Sequence, residues 1–566
     1  MNPRTREQLD MYRIAAGDLE NSLIDEFAAG QIDRATFIRD AAKLGLAASI
    51  IGSGLTVFGG GAPAFAASTV PAARSAGKRL RLAVVGAPTG AIEPILSVET
   101  GQVVTCGVMG EYLNRSTEKL TLTPELALSW RPNKDASVWT YKLRPNVKFA
   151  NGKPFGADDV VATFDRLTDP ASGSQALSAY KGVLSKGGTK KIDDLTVQFT
   201  LDAPNASFAF ATSNTTYNAI LLPRDYTVGK FTSNPSPTTA GFMMTAYSPG
   251  VGATYERNPN WWGGRTPLDG VDLTFYASDA AANAALLGGQ IDLISQTSVA
   301  TGRPLLNNPN VQLFRTRGAP HREIILATNM NSNLRDYRVR QAIAYTLDRP
   351  GIVKRLWNGF ADVGNDSPFA PIYPYTANLP QRAKNIPRAK QLMAAAGKSR
   401  GFKLHLTTWE NQELPNLAAI LRQSVKQIGI DLSIEVQTAK TYYGGTYDGG
   451  RFGLGTTPWL NSECSITDWG HRAVPNVYLT ASLMSGGIWN ASHYANKSFD
   501  KASRAFIGSI ALADQRKYAA EMQKILQRDT PVIYPYFYYF LGAGVKSIRG
   551  YSVDPVGGIT LSRLSL

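Results

Sequence analysis

The sequence predicts a mixed α/β fold that is divided into more than one lobe. Short stretches typical of strands alternate with stretches typical of amphipathic helices, and no long low-complexity linker separates them. The chain has 566 residues, a length at which a single hydrophobic core stops growing and the chain divides. Hydrophobic residues make up 43% of the sequence and charged residues 18%, which indicates a globular protein.

Six predicted helices begin near Asp, Asn or Pro and carry apolar residues at three- and four-residue steps. They span 158–167, 280–287, 339–347, 386–396, 414–428 and 513–527. Six predicted strands are rich in β-branched and aromatic residues. They span 79–85, 138–143, 196–201, 271–276, 403–408 and 432–437. We find no internal repeat.

The amino terminus has the three parts of an export signal in the expected order. Basic residues Arg34, Arg39 and Lys43 precede an apolar stretch at 44–58, and the small-x-small sequence Ala-Phe-Ala follows at 64–66. The apolar stretch is too short and too rich in glycine for a membrane span. A buried core helix is the alternative, but the glycines and the polar segment that follows argue against it.

We therefore predict that residues 1–66 form an export signal with a long front extension, followed by a flexible segment at 67–77. The mature protein is then expected in the periplasm. The segment 33–39 is similar to a twin-arginine signal, but Ala35 stands where the second arginine is expected. The sequence leaves the choice between the Sec and twin-arginine routes open.

The net charge of +15 does not indicate a nucleic-acid partner. Lysines and arginines are scattered along the chain, and no long basic run of the kind found in nucleic-acid-binding arms occurs. A well-solvated basic surface is the first interpretation. Attraction for acidic or carboxylate-bearing ligands is the second.

The cysteine and histidine content excludes two classes of site. Cys106 and Cys464 are the only cysteines, so a disulfide framework and a zinc site built on thiolates are excluded. One long-range disulfide and two buried free thiols both remain open. The 4 histidines show no metal-site spacing, and we predict neither a metal nor a cofactor.

Four stretches match one family pattern, in the family's order. They are 126–130 with 139–161, then 194–206, then 255–271 with 289–292, and finally 336–349. They resemble the family 5 extracellular solute-binding proteins of ABC transporters, the dipeptide- and oligopeptide-binding type, over most of the chain after about residue 80. Residues 239–242 depart mildly from the family's Gly-Thr-Gly-Pro-Phe-like turn.

The first of these stretches is a fold signature, not a binding site. Asn151-Gly152 suits a tight hairpin turn, and Asp158 can cap the helix that follows. We interpret its remaining residues as packing.

The resemblance implies a two-lobed periplasmic binding protein of type II, in the large class with an extra inserted domain. The ligand cleft is expected at the hinge, where two crossings join the lobes. The first lobe is predicted to combine 78–115, 236–310 and 530–566. The inserted domain is predicted at 116–235 and the second lobe at 311–529.

The resemblance also indicates an acidic anchor for the ligand. Family members often carry a Trp, a few small residues and then an acidic residue that pairs with a peptide's ammonium group. In the stretch 452–472, Asp468 matches that acidic position. A carboxylate in a partly dry cleft favours a cation through a charge-assisted hydrogen bond. The alternatives are that Asp468 caps a helix or pairs with Arg472.

The residues after Asp468 depart from the family pattern of an aromatic residue and Asp-Pro. His471 and Arg472 stand there instead, as candidates for binding a ligand carboxylate or as a solvent-facing pair. The solute therefore need not be an ordinary peptide.

Aromatic residues near these positions are candidates for flat, apolar walls of the site. Trp459 and Trp469 flank Asp468, while Tyr536 and Tyr538 share one face of a late predicted strand. Trp409 and Asn411 follow the strand at 403–408, whose end is expected to meet the ligand.

The resemblance implies an extracytoplasmic substrate-binding subunit of an ABC importer. It would capture peptides or related amine-bearing small solutes and deliver them to membrane permease subunits, acting as a monomer. A sensor or a chaperone with the same fold is the alternative. A hydrolase is less favoured, because no Gly-x-Ser-x-Gly, phosphate loop or His-Glu-x-x-His motif occurs, and we predict no catalytic residue.

Overall fold

A computed structural model describes residues 78–299, 302–306, 308–446 and 455–566. The predicted export signal at 1–66 and the predicted flexible segment at 67–77 lie outside these residues. The described residues belong to one compact unit.

The described residues form twenty strands. They are β1 Arg79–Val85, β2 Asn114–Ser116, β3 Leu122–Pro124, β4 Ala127–Pro132, β5 Val138–Leu143, β6 Thr189–Asp193, β7 Thr196–Thr200, β8 Phe242–Ser248, β9 Gly252–Arg257, β10 Gly270–Tyr276, β11 Leu293–Thr297, β12 Val311–Thr316, β13 His321–Leu326, β14 Ala361–Val363, β15 Phe402–Trp409, β16 Ile430–Gln437, β17 Cys464–Trp469, β18 Val532–Ile533, β19 Tyr536–Tyr538 and β20 Phe540–Val545.

The same residues form thirteen α-helices. They are α1 Thr100–Gly107, α2 Ala157–Thr168, α3 Leu177–Tyr180, α4 Phe208–Ala211, α5 Asp279–Leu287, α6 Arg303–Leu306, α7 Tyr337–Tyr345, α8 Arg349–Trp357, α9 Ile386–Ala395, α10 Leu414–Lys426, α11 Ala439–Tyr442, α12 Lys497–Gly508 and α13 Leu512–Asp529. Short 3-10 turns occur at Pro94–Leu96, Pro170–Ser172, Ser332–Arg335 and Pro458–Asn461, and a π-helical turn at Tyr478–Leu483.

The first large sheet has seven strands in the order β12-β20-β11-β1-β10-β9-β8. Strand β1 is parallel to β10 and β11, and the other pairs are antiparallel. Leu82 and Val84 of β1 pack into the main core, while Ala83 packs against Ala282 and Leu286 of α5 on the opposite face. Apolar side chains on both faces explain why β1 reads as a nearly continuous hydrophobic run.

The second large sheet has the order β14-β19-β13-β17-β15-β16, and β18 also pairs with β13. Strand β15 is parallel to β16 and β17, while β13 is antiparallel to β17. Every residue of β13 is buried. Ile324 joins the cluster that contains α7, α8 and α10, and Ile325 joins the cluster on the side of α12 and α13. The second sheet is thus covered by helices on both faces.

A separate antiparallel sheet with the order β4-β5-β7-β6 lies within the predicted insertion. Gly152 N–H donates to the carbonyl of Phe149 at 2.8 Å, and Gly152 has a φ of +83°, so the predicted hairpin turn is present with a glycine bulge. The predicted cap by Asp158 is wrong. The carboxylate of Asp159 accepts from the backbone N–H of Gly156 at 2.8 Å, because α2 begins one residue earlier than predicted.

The chain crosses between the two large sheets at residues 317–320 and again at Tyr539. Strand β12, which the sequence assigned to the second lobe, pairs with β20 in the first sheet. Strands β18 and β19, assigned to the first lobe, pair in the second sheet. The lobe boundaries remain predictions. This pairing favours placing both boundaries several residues later in the chain than the sequence suggested.

The mixed α/β class is confirmed. Each of the six predicted helices and six predicted strands is present, with every end within two residues of its prediction. Cys106 and Cys464 are both free and buried, so the disulfide that the sequence left open does not form. Within the described ranges, no helix has the length and apolar composition that crossing a membrane requires.

Candidate ligand-binding site

A cavity of about 250 Å³ lies where the carboxyl ends of strands from the first sheet face the second sheet. Val85, which ends β1, and Thr297, which ends β11, line it from one side. Trp357, Gln412 and Tyr538 line it from the other side. The carboxyl edge of parallel strands is the usual place for a ligand in α/β folds, and the cavity occupies that place in the first sheet.

The side of the cavity formed by the second sheet depends on Arg322, which is almost fully buried in β13. Its guanidinium donates to both carboxylate oxygens of Glu413, at 2.7 and 3.3 Å, and to Gln412 Oε1 at 2.9 Å. It also donates to the Tyr538 hydroxyl at 3.3 Å. Tyr536 OH donates to Glu413 Oε1 at 2.7 Å, the oxygen that also accepts from Arg322 Nε. Arg322 and Glu413 therefore neutralise each other beneath the cavity wall.

On the cavity side of this ion pair, Arg322, Tyr538 and Trp357 are stacked on one another. The Arg322 guanidinium lies 4.7 Å from the Tyr538 ring centroid, and the Trp357 ring stacks on Tyr538 with 4.5 Å between centroids and 5° between planes. Cation–π contact and ring stacking fix the orientation of Tyr538, which lines the cavity. The polar lining opposite includes Ser298 and Asp279, whose carboxylate accepts the backbone N–H of Ser298 at 3.2 Å.

Asp468 lies directly opposite Arg322 in the pairing of β17 with β13. Its Oδ1 accepts two hydrogen bonds, from Trp409 Nε1 at 3.2 Å and from the Tyr443 hydroxyl at 3.1 Å. No hydrogen bond from a described residue reaches its Oδ2. The Trp409 and Tyr443 rings stand 72° apart with 5.4 Å between centroids. All three side chains are half-buried. We call Asp468, Trp409 and Tyr443 the Asp468 corner.

The formal charges of Arg322, Glu413 and Asp468 sum to −1. Arg322 contributes +1 and Glu413 and Asp468 contribute −1 each, because nothing else charged takes part in their hydrogen bonds. Since Glu413 already neutralises Arg322, the charge left for a ligand is that of Asp468.

The sequence model of the bacterial extracellular solute-binding proteins, family 5, matches residues 121–467, which is more than half of the chain. The chain belongs to this family. It is 26% identical over 477 residues to the heme-binding protein A of Haemophilus influenzae, covering 79% of this chain and 84% of that one. It is 25% identical over 503 residues to the periplasmic murein peptide-binding protein MppA of Escherichia coli, covering 83% and 90%.

Solved structures of the family support the fold assignment. The structure of HbpA2 from Haemophilus parasuis superimposes with a TM-score of 0.75 at 21% identity, covering 86% of this chain and 99% of that one. This family 5 protein therefore has the two-lobed periplasmic binding protein fold, and it is a substrate-binding protein of the kind that serves ABC importers.

The structure brings together most of the predicted aromatic residues of this family 5 protein. Trp459 lies 5.5 Å from the Tyr443 ring and 6.3 Å from the Trp469 ring, between centroids. Trp459 and Trp469 are buried, so they pack behind the Asp468 corner instead of facing solvent. Tyr536 is buried below Tyr538 and acts on the site through Glu413.

His471 and Arg472 do not join the Asp468 corner. His471 Nδ1 accepts the backbone N–H of Ala319 at 3.0 Å, and its burial, with a smaller contribution from Arg472, lowers its pKa to about 3. The imidazole is therefore neutral at pH 7 and offers no positive charge to a ligand carboxylate. Arg472 is exposed and donates to the carbonyl of His471 at 2.9 Å. We leave both residues out of the proposed site.

At the end of β15 the predicted ligand-binding residue, Asn411, is one position before the residue that lines the cavity. Asn411 is half-buried in the turn between β15 and α10, and it is the next residue, Gln412, that lines the cavity. Gln412 has a φ of +43°, the left-handed conformation that turns the chain into α10. Arg322, Glu413 and Tyr443 were also missed. Among the described residues, no group of three or more metal-ligating side chains is close enough to hold a metal.

Proposed function

We propose that this protein captures a peptide or a related amine-bearing small solute between its lobes and delivers it to membrane permease subunits. The observation that carries the proposal is the Asp468 carboxylate, which has one oxygen without a hydrogen bond from any described residue. Asp468 does not line the cavity itself, but it pairs with Arg322 across the sheet, and Arg322 donates to Tyr538 of the cavity wall. We propose that a bound solute spans both features.

The electrostatics of the face favour a cationic group on the solute. An unpaired Arg322 would attract an anion, but Glu413 accepts two hydrogen bonds from it and cancels its charge. The remaining −1 of Asp468 sits in a half-buried place, where a charge-assisted hydrogen bond is stronger than at an open surface. A solute ammonium group is the partner that completes this arrangement.

Capture and release require the two lobes to move about their crossings. Contacts made to both sheets only in the closed form would hold the closed form, and the population would shift toward it as solute binds. We propose that the closed protein acts as a monomer, without catalysis, and docks on the permease of an ABC importer. Its export through the segment at 1–66 belongs to the same proposal.

A sensor or chaperone role remains the second candidate, since a closing cleft serves these roles as well as transport. Loss of uptake of the bound solute in a strain that lacks the protein would support transport. Normal uptake together with a lost transcriptional or folding response would support the second candidate.

Isothermal titration with an amine-bearing peptide and its N-acetylated copy tests the anchor. The wild type should bind the free amine more tightly by roughly 10- to 150-fold, the range that corresponds to a charge-assisted hydrogen bond of about 1.5–3 kcal/mol. Asp468→Asn keeps the shape and an acceptor for Trp409 and Tyr443, and it should remove that preference.

Asp431→Asn is the matched control, because Asp431 is an exposed aspartate in β16 of the same sheet and forms no ion pair within the described residues. It should bind as the wild type does. An Asp468→Asn variant that folds normally and keeps the full preference for the free amine would refute the anchor.

A further inference from the structure

Gln412 combines an exposed position in the cavity wall with a carboxamide oxygen that is already hydrogen-bonded. Its Oε1 accepts from Arg322 Nη2 at 2.9 Å. Arg322 is almost fully buried in β13, and a guanidinium has donors but no acceptor. The oxygen, and not the nitrogen, is therefore the end of the Gln412 carboxamide that faces Arg322.

The other end of the carboxamide, Nε2, is left for a ligand. An amide nitrogen carries two N–H donors, and no described residue accepts a hydrogen bond from Gln412 Nε2. Arg322 is itself held by Glu413 at 2.7 Å and by the Tyr538 hydroxyl at 3.3 Å. The Gln412 carboxamide is thus oriented before a solute arrives, with its donors on the side away from Arg322.

The backbone at Gln412 is a second observation that indicates a use for this side chain. Its φ of +43° lies in the left-handed region, which glycine adopts freely and which a residue with a Cβ adopts at a cost. Non-glycine residues in this region cluster at ligand sites. Glycine would make the same turn into α10 with less strain, so the turn alone does not explain a glutamine.

Resting on the proposed function, we propose that Gln412 is a specificity-determining residue that donates a hydrogen bond from Nε2 to an oxygen of the solute. The solute then carries an acceptor oxygen in addition to the ammonium group that Asp468 binds. Peptides and amino-acid derivatives have both groups, whereas simple alkylamines lack the oxygen. A peptide carbonyl and a terminal carboxylate are the two sources of such an oxygen.

Isothermal titration of the full chain with Ala-Ala and Ala-Ala-amide tests this inference. Gln412→Met keeps the length of the side chain and removes both N–H donors. If the oxygen is the peptide carbonyl, the variant should bind both probes more weakly by about 2- to 12-fold, the range for a neutral hydrogen bond. If the oxygen is the terminal carboxylate, the loss should be larger and confined to Ala-Ala.

Two further variants separate the donor from other effects of the substitution. Gln412→Gly suits the positive φ and should show the same loss of affinity, so a folding defect of the methionine variant would not hide the result. Gln423→Met is the matched control, because Gln423 is an exposed glutamine of α10 that does not line the cavity. It should bind both probes as the wild type does.

Wild-type affinity for both probes in a folded Gln412 variant would overturn the inference, and so would an equal loss in Gln423→Met or a wild type that binds neither probe. The preference for Ala-Ala over its N-acetylated copy should survive in Gln412→Met, because Asp468 is unchanged. If Gln412→Met bound normally while Asp468→Asn lost that preference, the inference would fail and the proposed function would stand.

Discussion

Replacing Glu413 by glutamine tests whether charge pairing holds the buried Arg322 in place. The Arg322 side chain is 1% exposed and the Glu413 side chain 10% exposed. The Glu413 carboxylate receives Arg322 at 2.7 and 3.3 Å and the Tyr536 hydroxyl at 2.7 Å. Glutamine preserves the volume and one acceptor, but it leaves the guanidinium charge without its counter-charge.

The expected loss of stability is large. Removing one partner of a buried ion pair costs about 3–5 kcal/mol, because the other charge stays buried and uncompensated. Since glutamine retains one acceptor, we expect about 3 kcal/mol, near the lower end of that range. The summed charge of Arg322, residue 413 and Asp468 also changes from −1 to zero, so the affinity for a cationic solute should fall as well.

Urea unfolding of Glu413→Gln measures the first effect. Glu410→Gln is the matched control, because Glu410 lies three residues earlier, is exposed and forms no ion pair among the described residues. The double variant Arg322→Met with Glu413→Gln removes both charges and should recover most of the lost stability. A Glu413→Gln variant within about 1 kcal/mol of the wild type would contradict the reasoning, and so would a double variant less stable than either single one.

Three further perturbations have distinct expected outcomes. Asp366→Asn should cost at least about 3 kcal/mol in urea unfolding, because two buried arginines, Arg349 at 2.6 Å and Arg382 at 3.0 Å, lose the carboxylate that they share; an effect below about 1 kcal/mol would contradict this. Gly401→Ala should lower stability far more than Gly397→Ala, because both have a positive φ but only at Gly401 would a new Cβ clash with backbone, at the carbonyl oxygen of Gly429; equal losses would refute it. Burial lowers the pKa of His471 to about 3, so its contribution to stability is full above its ordinary pKa of 6.5 and is lost as the pH falls toward 3. His471→Asn should flatten the stability–pH slope below about pH 6 by up to about 1.36 kcal/mol per pH unit, and an unchanged slope would refute this.

The sequence was sufficient for elements whose local pattern and tertiary environment agree. Helix α2 has apolar residues at helical spacing and buries Val160, Phe164 and Leu167 on one face. Helix α8 was missed because Pro350 and Gly351 in its first turn weaken the pattern. Helix α12 was missed although Asn496 caps it and its buried residues recur at helical spacing. The signal for α12 was present in the sequence.

The site was predictable only where a motif or a strand end marked it. Asp468 followed from the family resemblance and Trp409 from the end of a predicted strand. Arg322 and Glu413 lie 91 residues apart, so nothing local in the sequence marks them as partners. Tyr443 follows a single short helical turn without a long periodic pattern. Burial decided the opposite case of His471, since a neutral buried imidazole and a charged exposed one look alike in sequence.

The two crossings between the large sheets both donate hydrogen bonds to one carboxylate, that of Asp362. Arg317, in the first crossing, donates to Asp362 Oδ1 at 2.6 Å, and Tyr539, in the second crossing, donates to the same oxygen at 2.8 Å. Asp362 lies in β14 of the second sheet. Both crossings are therefore hydrogen-bonded to the second sheet, and we expect the lobe rotation of the proposed capture mechanism to be absorbed toward the first sheet. Because Tyr539 and Phe540 also line the cavity, a solute bound there under the proposed function would contact the chain at the second crossing, and that contact would favour closure.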